Sequence, residues 1–144
     1  MNRNYLIPLS MIGLGLTTAC TPPVVGDWEL TQVTYGGETM SYPMEGSYTY
    51  EGVTYTYSYS GVMSMDKEGA AKFTTTSEYS DADGNLQTDS YDYNGTWVKN
   101  DDKSYGIDFE GEDMDMTCTV TDKTQLDCSV GANDVTAVFS AVED

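Results

Sequence analysis

The 144-residue chain contains no histidine, and its single arginine, Arg3, falls among the first few residues. These absences remove imidazole bases, histidine-ligated metals and guanidinium clamps on phosphate or carboxylate. Cationic charge of any kind is scarce: five lysines stand against 24 acidic residues, and the formal net charge is −18. A surface of that sign repels polyanions, so no nucleic-acid partner is expected. Long-chain aliphatics are also few. After position 20 there are three leucines and one isoleucine, against eleven valines, eleven tyrosines and seventeen threonines. That composition favours strands. No nucleophile elbow, phosphate-binding loop or cofactor fingerprint occurs, and no spacing singles out a catalytic pair among the carboxylates. The chain therefore reads as a non-enzyme, without catalytic residue or cofactor.

Long apolar runs are missing except at the start, where residues 6–16 form an uncharged, mostly apolar stretch behind Arg3. As a helix it would reach only ~16 Å, against a ~30 Å hydrocarbon core, and Pro8, Gly13 and Gly15 weaken it further. The positive start, apolar middle and small residues Thr17, Thr18 and Ala19 follow the plan of a secretory signal. Ending at Cys20, the segment resembles the lipobox of bacterial lipoproteins. One departure is Thr17, where that family usually has leucine; here the leucine stands one place earlier, at Leu16. The resemblance implies a signal peptide over 1–19, acylation of Cys20, and a lipid-anchored linker over 20–25. It also implies an outer-membrane location, because Thr21 is not the aspartate that often retains such proteins at the inner membrane. The bilayer is then one expected partner. What remains is enough chain for one domain, 26–144.

With Cys20 assigned to lipid, Cys118 and Cys128 are left as a pair. The stretch 114–130 reads as a hairpin about residues 122–124. If Thr121 faces Gln125, then Val120 faces Leu126, Cys118 faces Cys128 and Met116 faces Val130, the last three pairs all on one face. Facing cysteines in an oxidising compartment favour a disulfide. Two buried thiols are the other reading, and a metal pair lacks further ligands.

Alternation dominates elsewhere. Val53, Tyr55, Tyr57, Tyr59, Gly61, Met63 and Met65 share one face of a long strand in which Gly61 is expected to bend the chain. Further alternating segments run over 71–79, 86–98, 105–109 and 135–142, separated by glycine- and aspartate-rich turns. Eight or nine short-looped antiparallel strands must close into a barrel or split into two layers to protect their edges. The expected fold is an all-β, antiparallel, up-and-down barrel, with a β-sandwich as the alternative.

Gly26-Asp-Trp28 opens the first strand, and Gly95-Thr-Trp97 repeats the pattern. The first tripeptide resembles the start of bacterial lipocalin-like lipoproteins, whose Gly-x-Trp places an indole under one end of the barrel. That resemblance implies a barrel-end plug of Gly26 and Trp28. It transfers no ligand contact, since the arginine such barrels usually lay across the Trp and their C-terminal helix have no counterpart here. The inward stripe supplies candidate ligand-binding residues, Tyr55, Tyr57, Tyr59, Met63 and Met65, suited to a small apolar or amphipathic molecule. The same side chains could instead fill a solid core, leaving a structural or protein-interaction lipoprotein. Two acidic segments are candidates for a cation site. Residues 81–85, Asp-Ala-Asp-Gly-Asn, lack the glycine and glutamate positions of a calcium loop and read as turn chemistry. Asp108, Glu110, Glu112, Asp113 and Asp115 crowd another hairpin, which makes a weakly held divalent cation a further candidate partner, with no metal ligand assigned.

Overall fold

The computed structural model describes residues 20–131 and 134–143, and the regular elements among them are all β-strands. The expected leader, 1–19, lies outside the described residues. In chain order the strands are β1 (Gly26–Tyr35), β2 (Glu38–Ser41), β3 (Met44–Tyr50), β4 (Val53–Met65) and β5 (Ala70–Ser80). They continue with β6 (Leu86–Lys99), β7 (Ser104–Phe109), β8 (Met116–Thr121), β9 (Gln125–Val130) and β10 (Val135–Ala141). From β3 to β10 each strand pairs with its neighbour in sequence, and β10 returns to β1. Pairing of β1 with β4 then closes β1 and β4 to β10 into an eight-stranded antiparallel barrel, with β2 and β3 as two extra strands. The barrel, not the sandwich, is what the alternating pattern builds, and it is consistent with a lipocalin-like architecture.

Closure rests on a short seam. Gly26, Asp27, Trp28 and Glu29 face Met65, Ser64, Met63 and Val62. Beyond Glu29 the two strands part. A bulge between Leu30 and Gln32 redirects β1, whose remaining residues pair with β2 from Gln32↔Ser41 to Tyr35↔Glu38. On the other side the first half of β4 pairs with β3, from Met44↔Tyr59 to Tyr50↔Val53. The seam is thus Y-shaped, with β2 and β3 lining the arms and Tyr42, whose N–H donates to Thr31 O (2.8 Å), at the fork. Gly61 sits where β4 changes partners: a Cβ there would meet the Phe73 ring at 2.9 Å and Leu30 at 3.3 Å, so glycine is required for close packing.

The end carrying Gly26, Met65 and the β4–β5, β6–β7 and β8–β9 turns is the base; the other end is the mouth. Inward residues of every barrel strand fill the lower half, among them Trp28, Met63, Ile107, Cys118, Leu126 and Phe139, all buried. Their sequence neighbours point outward, the period-two pattern of a strand buried on one face. The β8–β9 register is Met116↔Val130, Cys118↔Cys128, Val120↔Leu126 and Thr121↔Gln125, as the sequence predicts, and the two buried cysteines are bonded across it. β4, β5 and β6 reach 13, 11 and 14 residues and rise past the shorter β7 to β9.

Reduction of Cys118–Cys128 removes a cross-link spanning 10 residues. It should lower unfolding stability by about 2–3 kcal/mol, read as a lower urea midpoint for the reduced protein at unchanged m-value.

Candidate functional site

Two tryptophans organise the base. Residues 22–25 form a turn in which Val25 N–H donates to Pro22 O (3.0 Å), and it seats Val24, fully buried, against the barrel end. Trp28, 2% exposed, donates from Nε1 to Val24 O (2.8 Å) and so locks the turn in place. On the second Gly-x-Trp, Trp97 Nε1 donates to Asp66 O (2.8 Å) in the β4–β5 turn, and its ring packs edge-on against Tyr105 at 5.8 Å. Each indole therefore buries its body and spends its one donor on a neighbouring backbone carbonyl. The glycines differ in cause. Gly26 adopts φ +142°, which side chains resist, with open space around it; Gly95 has no room for a Cβ against the backbone of Asp108 and Phe109. Tyr105 Oη, also buried, has no hydrogen-bond partner among the described residues; burial and the nearby Asp101 and Asp102 push its phenol up.

Above this plug the barrel is hollow. A cavity of about 650 Å³ opens at the mouth, floored by Leu30, Phe73, Met116 and Phe139 and walled higher up by Val33, Tyr42, Tyr59 and Tyr91. Its lining is mostly apolar, with Ser and Thr hydroxyls toward the rim. Asp89 is the one charged residue on the wall among the described residues. Phe73 packs edge-on to Phe139 at 5.9 Å and stacks on Tyr93, which meets Tyr91 at 4.6 Å. A continuous aromatic track thus runs from floor to rim.

The five stripe residues do not share this cavity. Tyr59 lines it. Met63 and Met65 lie lower, buried in the filled base, Met63 facing Trp28 and Met65 facing Gly26. Tyr55 and Tyr57 lie higher, on the part of β4 that pairs with β3. Tyr55 stacks on Tyr48 at 5.2 Å, and the Tyr57 ring lies over Gly46. Most of the wall comes from residues the stripe did not include: Leu30, Phe73, Tyr91, Met114, Met116 and Phe139. Alternation within β5, β8 and β10 marks several of them as inward, and only their height along the barrel was missing.

The acidic segments resolve differently. In the 81–85 turn, Asp81 Oδ1 accepts from Asp83 N (2.9 Å) and Asn85 N (2.8 Å). The Asn85 side-chain amide, then the backbone bonds, hold the Asp81 carboxyl below its ordinary pKa, and Gly84 takes φ +82°. The loop's own groups occupy the carboxylate, as turn chemistry requires. At the β7–β8 connection Asp115 is pushed above the ordinary carboxylate pKa, first by repulsion from Asp108 and then by a shared hydrogen bond with it. Among the described residues no three acidic or cysteine side chains converge as a metal-ligand set.

A raised pKa in the folded state gives stability that is present below the ordinary carboxylate pKa and is lost as pH rises through the raised value. Asp108→Asn should therefore raise Tm at pH 7 by about 1–2 °C and leave it unchanged near pH 3, as differential scanning calorimetry at the two pH values would show. Gly95→Ala, which drives a methyl into backbone, should cost about 1–3 kcal/mol in urea unfolding. Compared with known proteins, the chain matches no family model, no curated protein and no solved structure.

Proposed function

We propose that the chain is a lipid-anchored envelope protein of lipocalin-like type that holds a small apolar or amphipathic molecule in the mouth cavity. The observation that carries this reading is the cavity itself. A barrel filled only for structural reasons would continue its core upward from Phe139, whereas here about 650 Å³ lined by aromatic, Met and Val side chains stays open to the mouth. Cavities of this size and lining suit small ligands. Asp89 at the wall and the absence of any lysine there disfavour anionic molecules, so the ligand class is neutral or carries a cationic end. The attachment is assigned to Cys20, which is exposed ahead of the docked turn, and the outer membrane is the proposed location. The Cys118–Cys128 disulfide supports a compartment outside the reducing cytoplasm.

A second reading, docking of a protein partner, draws on the sheet above the barrel. Tyr48, Tyr50 and Tyr91 are each more than half exposed there, and among the described residues β3 leaves one edge unpaired. Titration with the neutral dye N-phenyl-1-naphthylamine separates the two. The carrier reading expects a saturable fluorescence rise with Kd of about 1–10 μM. Thr75→Trp and Ser77→Trp, which fill the cavity from β5, should each weaken it at least about tenfold with Tm little changed. Absence of saturable binding up to about 100 μM dye would retire the carrier in favour of the surface.

A further inference from the structure

We infer that the base of the barrel is a contact surface for phospholipid headgroups, with Lys67, Lys103 and Lys123 facing their phosphates and the mouth cavity turned away from the bilayer. The inference rests on the reading of Cys20 as the anchored residue and adds to it an orientation and a binding face.

Two independent observations carry it. The first is the length of the tether. Val24 is buried in the barrel end and pinned by Trp28, so only Thr21, Pro22 and Pro23 separate it from Cys20. Four residue steps span at most about 14 Å, and two of those three residues are prolines, which stiffen the path. A barrel attached through Cys20 cannot roll its mouth toward the membrane on so short a leash.

The second observation is where the cations lie. Each of the three hairpin turns at the base carries one exposed lysine: Lys67 between β4 and β5, Lys103 between β6 and β7, and Lys123 between β8 and β9. None of the three makes an ion pair among the described residues, whereas Lys72 and Lys99 pair with Asp92 (4.0 Å) and Asp102 (3.8 Å). Carboxylates share these turns, but several are engaged by their own backbone. Asp66 Oδ1 accepts from Glu68 N (3.0 Å) and Ala70 N (2.8 Å), and Asp101 Oδ1 accepts from Lys103 N (3.0 Å) and Ser104 N (2.9 Å). Glu68, Asp102 and Asp122 share the same turns, so the base turns together carry three lysines and five carboxylates. Lys123 stands at φ +62°, a backbone position glycine would occupy with less strain. Lys67 and Lys123 also flank a depression of about 780 Å³ beside the tether, lined by Pro23, Trp28 and Met65 and by the carboxylates Asp27, Asp66 and Glu68.

The mouth has the opposite character. Its turns carry Glu51, Asp81, Asp83, Glu110, Glu112, Asp113, Asp115 and Asp134 and no lysine. An anionic bilayer repels that end, with eight carboxylates and no lysine, more strongly than the base, so charge and tether favour the same pose.

The test is built so that lipidation itself is not at issue. All strands among the described residues lie between Gly26 and Ala141, so a chain from Cys20 onward contains the whole barrel. Its other two cysteines are joined, so Cys20 alone couples to a maleimide lipid. The coupled protein is displayed on vesicles of phosphatidylglycerol and phosphatidylethanolamine, or on vesicles of the phosphate-free lipid digalactosyldiacylglycerol. A water-soluble amine-acylating reagent is then applied, and each lysine is followed by peptide mass spectrometry. The expected result is acylation of Lys67, Lys103 and Lys123 slowed at least about fivefold on the phospholipid vesicles relative to uncoupled protein. On galactolipid the protection should fall by at least half. Equal protection on both surfaces would assign it to the tether alone and overturn the headgroup contact. No protection on either would overturn the orientation as well. The acylation of Cys20 stands or falls separately, on the mass of the N-terminal peptide from membrane-extracted full-length protein.

Discussion

The four residue pairs that join Gly26–Glu29 of β1 to Val62–Met65 of β4 are the constraint on which the rest of the molecule depends. Without them the meander is an open sheet with two long edges and one wet face. With them, one face of eight strands becomes an interior, and every alternation along the chain acquires an inside and an outside. The seam is short because β1 is asked to do two things. Its first residues carry the Gly-x-Trp plug and close the barrel, and after the bulge at Leu30/Gln32 its last residues form a hairpin with β2. The base is consequently narrow, doubly paired and packed, and the mouth is wide.

That gradient separates the two kinds of chemistry in the molecule. At the base, apolar volume is spent on packing: Val24, Trp28, Met63, Tyr105 and Ile107 leave no space for a guest. At the mouth the same types of side chain stand apart around an opening. Polar groups divide in a similar way. The indole donors at the base are satisfied by backbone carbonyls, while the threonine and serine hydroxyls near the rim remain within reach of water or of a bound molecule.

The barrel was legible in the sequence because most of its strands are buried on one face only, and a half-buried strand writes its orientation into alternate residues. The hairpin of β8 and β9 is the clearest instance: the turn about residues 122–124 sets the register, and once Thr121 faces Gln125 the cysteines must face each other. β2 and β3 left no such record. Nearly all their residues are exposed on both faces, so Glu38–Ser41 and Met44–Tyr50 lack the inside-outside contrast that marks a strand. The stripe from Tyr55 to Met65 shows a different limit. Alternation tells which face a residue occupies but not its height, and the stripe climbs from the plugged base at Met65, past the cavity at Tyr59, to the sheet above the barrel at Tyr55. A single face of one strand thereby serves as core, wall and exterior. The two Gly-x-Trp elements likewise look alike in sequence while their glycines answer to different needs, one to backbone torsion and one to the proximity of a neighbouring strand.

The fork above the seam has one more implication. Between β1 and β4 the rim is made by β2 and β3, two strands that each pair with a barrel strand and, among the described residues, not with each other. The rim is also unladdered beside β6, whose residues 86–94 pair with β5 and, among the described residues, not with β7. At the fork, parting the two ribbons joined through Tyr42 and Pro43 would break no rung of the closed ring, so the entrance is bounded there by side-chain packing and not by a ladder.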